Sequence, residues 1–207
     1  DAQSVAERVA ALQSLADLSS SADLSIEELG GAIRDTAGCV ELLCRLLHDD
    51  SKAVVSAALV VLGNFAADST PSDLVRLRST GGTDSVFRIL IDRSEGDELL
   101  HAAVGACMNF CRNAEEAAQV CRMGIFVRLD ELQASDDAVL SHFASSALAN
   151  VRESLAPVLR AELDRDEFDR DELDRGDGPD GAASERTHAA ASSVHDALCE
   201  AVQATLV

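Results

Sequence analysis

The chain has 207 residues, 47% of them hydrophobic and 26% charged, ample core material for a globular protein. Thirty-seven acidic residues against 17 basic ones give a formal net charge of −20, which argues against a binder that must neutralise phosphates. Aromatic residues, at 3% with neither Trp nor Tyr, are too few for base-stacking platforms, and no apolar run approaches the roughly 18 to 20 residues of a membrane span.

Taken in chain order, the elements repeat. A first apolar-periodic stretch ends near Asp17–Leu18. Gly38 then opens an apolar run with Leu43 and Leu46 five and eight residues on, and a longer helical stretch at 52–67 carries Asn64–Phe65 near its end. The set recurs as a short helix at 72–79, Gly82 before Phe87 and Leu90, a polar turn, and a long helix at 97–112 with Asn109–Phe110. It recurs again as 115–122, Gly124 before Leu129 and Leu132, and 137–153 with Asn150–Val151. The glycines are 44 and 42 residues apart and the asparagines 45 and 41, so two independent marks share one period. Apolar residues in the long stretches return every three or four positions, the pattern of one buried helical stripe. Glycine before each second helix permits a turn that a Cβ would strain. Strand signals are poor. An all-α chain of repeating helical triplets is expected.

A triplet of about 42 residues, with glycine before its second helix and Asn late in its third, resembles the armadillo repeat. The resemblance covers about residues 1–153, as three full repeats after the last helix of a partial one. It implies a right-handed α-solenoid whose third helices line a concave groove, with a domain over 1–159. In that family the ladder Asn bonds the backbone of an extended peptide, which carries the role to Asn64, Asn109 and Asn150. One turn earlier, the family's nuclear-import receptors place a Trp that walls the groove. Val60, Gly105 and Ser146 stand there instead, so a receptor that clasps lysine stems is not expected. An alternative stays open: the amides tie neighbouring helices together through backbone bonds.

Beyond Val151 the pattern changes. Residues 161–175 are three near-identical acidic pentads, and 161–180 hold ten acidic residues against three Arg. Leu163, Phe168 and Leu173 advance by five and share no face, so 160–183 reads as a charged extension of the last helix ending in a Gly- and Pro-bearing linker. From 184 to 207, Val194, Leu198, Ala201, Val202 and Leu206 share one helical face, with Asp196 and Glu200 away from it. Such a face suits a cap for the solenoid's end.

Chemistry-bearing motifs are missing. No nucleophile elbow, P-loop, zinc-protease or dinucleotide fingerprint occurs, so no catalytic residue, metal or cofactor is assigned. Cys107 and Cys111 lie one helical turn apart without a CxxC or a neighbouring His, and the six cysteines read as free thiols. His101 and His142 each stand eight residues before their Asn, where the first full repeat has Ser56, and read as polar residues of first turns. The function these features imply is a non-catalytic protein–protein interaction scaffold. Its favoured form is a structural subunit of a hetero-complex. The alternative is a free adaptor that captures an extended or basic peptide. Protein partners, including ones with basic segments, are expected, and no nucleic acid. The first residue is Asp1 and not Met, so any leader is expected upstream of this sequence. Free thiols fit the cytoplasm or an organelle matrix.

Overall fold

The computed structural model describes residues 2–20, 26–92 and 97–174. Ten helices and no strand occur among these residues. The first, α1 (Ala2–Ser20), stands alone. Three triplets follow: α2 (Ile26–Asp35), α3 (Cys39–Leu46) and α4 (Lys52–Ala67); α5 (Pro71–Ser79), α6 (Gly82–Ile91) and α7 (Asp97–Phe110); α8 (Ala114–Arg122), α9 (Ile125–Gln133) and α10 (Ala138–Asp174). The third helices stack in sequence order: α1 packs on α4, α4 on α7 and α7 on α10. This is an α-solenoid of about three units preceded by one lone helix.

The turn before each second helix has one geometry. Gly38, Gly81 and Gly124 adopt φ of 78°, 74° and 68°, and no other described residue has a positive φ. Only glycine enters this region without strain. The register residue of the middle unit is therefore Gly81, not Gly82 as the sequence pattern had it. The three turns are evenly spaced at 43 residues. Five positions beyond them lie Leu43, Val86 and Leu129, all buried. Gly82 serves packing instead, since a Cβ there would stand 2.5 Å from the Cys44 sulfur.

The core runs through the stack without a break. Phe65, Phe87 and Phe110 are fully buried with Leu59, Leu62, Leu77, Leu90 and Leu148. The Phe87 and Phe110 rings meet edge to face with centroids 6.3 Å apart, a favoured aromatic geometry. The third helices approach closely at Gly63, where an added Cβ would lie 3.0 Å from the Ala106 Cα. No unit buries its own stripe alone; each completes the wall of the next.

First helices are stopped and started by side chains. Thr70 accepts from the Asp73 amide at 3.3 Å while Asp73 accepts from the Thr70 amide at 2.8 Å, with Pro71 in the first turn. This reciprocal box satisfies amides that a helix start leaves without partners. Asn113 plays the same part for α8 by accepting from the Glu115 amide at 3.1 Å.

The last helix is much longer than its equivalents. It runs through Pro157 to Asp174, so the charged pentads continue α10 as far as that residue. The linker and the stretch at 184–207 lie outside the described residues. No helix among the described residues is long and apolar enough to cross a membrane.

Candidate functional site

The stacked third helices place the Asn register side by side. Asn64, Asn109 and Asn150 are all half-buried on α4, α7 and α10. Asn109 Nδ2 donates to the Gly63 carbonyl at 3.0 Å, and Asn150 Nδ2 donates to the Met108 carbonyl at 2.8 Å. Each acceptor is the residue just before the previous unit's Asn. A second row runs parallel: Arg112 Nη1 donates to the Ala67 carbonyl at 3.1 Å and Ser154 Oγ to the Cys111 carbonyl at 2.9 Å. Ala67 ends α4, while Met108 lies in the last turn of α7 and Cys111 just beyond it, where carbonyls lose their intrahelical partners. The rungs supply new ones. A primary amide has a second proton and a two-lone-pair oxygen beyond such a bond, so Asn109 and Asn150 can tie the repeats and still meet a ligand.

Around these amides the surface is low. Val60 is 37% exposed, and Gly105 and Ser146 are half-buried. A Cβ on Gly105 would lie 3.4 Å from the Phe143 ring. The half-buried Phe143 thus occupies the space over α7 that the missing side chain leaves. Sequence reading missed Phe143. Its signal was in the register: seven residues before each Asn stand Ala57, Ala102 and then Phe143.

At the edge of this surface the histidines differ. His101 Nε2 lies 2.9 Å from Asp137 Oδ2, joining the second unit to the start of α10. The Leu140 amide, with those of Val139 and the His101 ring adding to it, holds the Asp137 carboxyl below its ordinary range. His142 is exposed, its ring centroid 6.0 Å from that of Phe143.

Charges hold the opposite side of each junction. Arg76 grips Glu41 with two bonds of 2.7 Å, and Gln119 bonds Asp84 at the equivalent position one unit on. Arg34 donates to Asp73 and to Asp68, each at 2.8 Å, and lies over the Phe65 ring. Arg78 reaches Glu116 at 2.6 Å. Asp73 and Glu116 each stand eight residues before a turn glycine, and both are buried. They titrate in opposite directions. Burial opposes ionisation of Asp73, but bonds from Arg34 and Thr70 outweigh it and lower its pKa. Burial dominates at Glu116, whose Oε2 has no hydrogen-bond partner, and raises its pKa despite Arg78.

Cys107 and Cys111, fully buried, have sulfurs 3.7 Å apart, and every described cysteine is free. No group of three or more metal-binding side chains occurs among the described residues.

Residues 35–67 match the family model of the armadillo/beta-catenin-like repeat. The fold is that of an armadillo-type α-solenoid, and one stretch of it matches the repeat itself. Among solved structures, an engineered protein is 26% identical, with a TM-score of 0.59 over 70% of this chain and 56% of its own. A designed armadillo repeat protein is 23% identical, with a TM-score of 0.59 over 70% of this chain and 58% of its own. Another designed armadillo repeat protein, in complex with the peptide (KR)4, is 22% identical, with a TM-score of 0.57 over 73% of this chain and 66% of its own. The chain therefore spans little more than half the length of the first two. No curated protein matches the sequence. The armadillo-repeat fold is known for protein- and peptide-binding scaffolds.

Proposed function

We propose that this armadillo solenoid is a non-catalytic interaction scaffold acting as a structural subunit of a larger hetero-complex. Its docking surface is the third-helix face around Asn64, Asn109 and Asn150. The observation that carries the reading is the low face itself. Val60, Gly105 and Ser146 stand where aromatic walls would clasp a peptide, and Phe143 partly fills the space over Gly105. A shallow apolar face with amides at its edge suits a folded helix or domain. A thin extended peptide would find few deep anchors there, and anchors carry most of the energy of small interfaces. The net charge of −20 favours encounter with partners bearing basic segments.

The second reading is a free adaptor for a basic peptide. One designed neighbour is in complex with (KR)4, and this chain's acidity would suit such a ligand. Purification of the tagged chain from its own cells separates the two. A subunit elutes in a complex of fixed stoichiometry that survives moderate salt. An adaptor elutes alone and binds (KR)4 with an affinity that falls as salt rises. Elution alone, without peptide binding, sinks both.

A further inference from the structure

We propose that the partner docked on the third-helix face meets it with the uncharged side of an amphipathic helix. This deepens the interface proposed above and rests on it. Carboxylates are spread unevenly over the repeats. Every first and second helix carries at least one, from Asp35 in α2 through Glu41, Asp73, Asp84 and Glu115 to Asp130 in α9. Residues 52–67, 99–112 and 138–152 of the third helices hold none, in a chain with a net charge of −20.

Burial does not account for the gap. Ala53, Val60, Val139, His142 and Ser145 on these helices are exposed, Val139 to 49%, and exposed positions are where acidic residues ordinarily stand. Cations do not fill the gap either. Lys52 opens α4, and Arg112 already donates to the Ala67 carbonyl. Arg152 stands two residues past Asn150, about 200° round the helix from it. Carboxylates return at the margins. Asp97 and Glu98 open α7, and Glu153 follows Asn150 by three residues. Asp68, just past α4, is held by Arg34, and Asp137, just before α10, by His101.

The band around the asparagines is therefore exposed but uncharged, and depletion of charge marks the core of an interface. A carboxylate covered there without a partner would lose its hydration with nothing in return. A basic peptide would find its charges unmatched on this band, and an acidic one would meet an Arg112 that is already bonded. An uncharged side matches it, with apolar groups against Val60, Val139 and Phe143. Small hydroxyls or amides would use the hydrogen-bonding capacity that Asn109 and Asn150 retain beyond their rungs. A helix also has a suitable repeat. Residues two turns apart lie about 11 Å from each other, close to the roughly 8 to 10 Å between packed helices. One apolar stripe can thus reach successive third helices.

Opposite charges placed at one point test this, with the native complex, purified through the tagged full chain, as the probe. Ser146→Asp and Ser146→Lys should each speed release of the solenoid by about tenfold or more, since either charge would be covered without a partner. Ser146→Ala should leave the rate as it is, and all three should melt like wild type. The same pair at Val60 repeats the comparison on α4, so that a folding defect at one position does not decide the outcome. Faster release with Lys alone assigns a basic partner surface, and faster release with Asp alone an acidic one. Either result overturns the proposal and leaves the interface standing. A complex made only of copies of this chain assigns the face to self-association and also overturns it. Wild-type release in every variant, or a solenoid that purifies alone, overturns the interface as well.

Discussion

Each repeat junction has two sides, and they are held by different chemistry. On the third-helix side, Asn109, Asn150, Ser154 and the Arg112 guanidinium donate to backbone carbonyls, and Gly63 lets α4 and α7 close on each other. On the first- and second-helix side, ion pairs join Arg76 to Glu41, Arg34 to Asp73 and Arg78 to Glu116. Backbone bonds of this kind respond weakly to salt and pH, whereas partly exposed ion pairs respond to both. The face proposed to bind a partner is thus the side joined chiefly through backbone carbonyls, with the His101–Asp137 pair at its edge. A highly acidic chain gains from that separation: partners can be attracted electrostatically without loosening the surface they dock on.

Crowding the neutral side should have the largest effect on stability. Gly63→Leu forces side-chain atoms against the Ala106 backbone, and overpacking of this kind costs about 2–3 kcal/mol. A clear fall in melting temperature is expected; an unchanged one would show that α4 and α7 do not meet there.

Removing a buried acid from the charged side comes next. Asp73→Ala deletes the α5 capping box and a partner of Arg34, a loss of about 1–2 kcal/mol for the cap. The pH dependence has a definite sign. Because the folded pKa of Asp73 lies below the ordinary value of 3.8, its contribution is complete above that value and disappears as pH falls through the folded one. Denaturant melts between pH 5 and pH 2 should therefore converge for wild type and Asp73→Asn; curves that stay parallel would contradict the pairing.

Asn109→Ala should cost about 1 kcal/mol, the net worth of one hydrogen bond, by the same amount at low and high salt. Arg76→Ala, which breaks a pair on the charged side, should destabilise only at low salt. A salt-dependent Asn109 effect would erase the distinction between the two sides.

The smallest effect belongs to Glu116. Its raised pKa means that the folded chain holds the proton more tightly than the unfolded one. Stability is then greatest below the ordinary value of 4.5 and declines as pH rises through the raised one. Glu116→Gln should flatten that decline, and an unaltered slope would place its origin elsewhere.

Helix order and the Asn register were legible because a buried stripe and a repeating period both leave marks in a one-dimensional string. The turn glycine was one residue off, since Gly81 and Gly82 are adjacent and only backbone dihedrals distinguish them. The amides could be placed on one row from spacing, yet their bonds to Gly63 and Met108 depend on how closely the third helices approach, which no local pattern encodes. Phe143 over Gly105 was hidden for the same reason, because a large residue in one unit fills a gap left in another. Burial of Asp73 and Glu116 was hidden by their charge, which reads as surface until an Arg from the neighbouring unit is found beside it.

The most direct measurement uses the native complex and two obstructions on the third-helix face, Val60→Arg and Ser146→Arg, each made in the full chain. Melting temperature and the mass of the assembly are read on the same preparations. The proposed interface requires near-wild-type melting with the solenoid released from its complex. Both variants eluting in the complex at wild-type stoichiometry would contradict it and place the contact elsewhere on the chain.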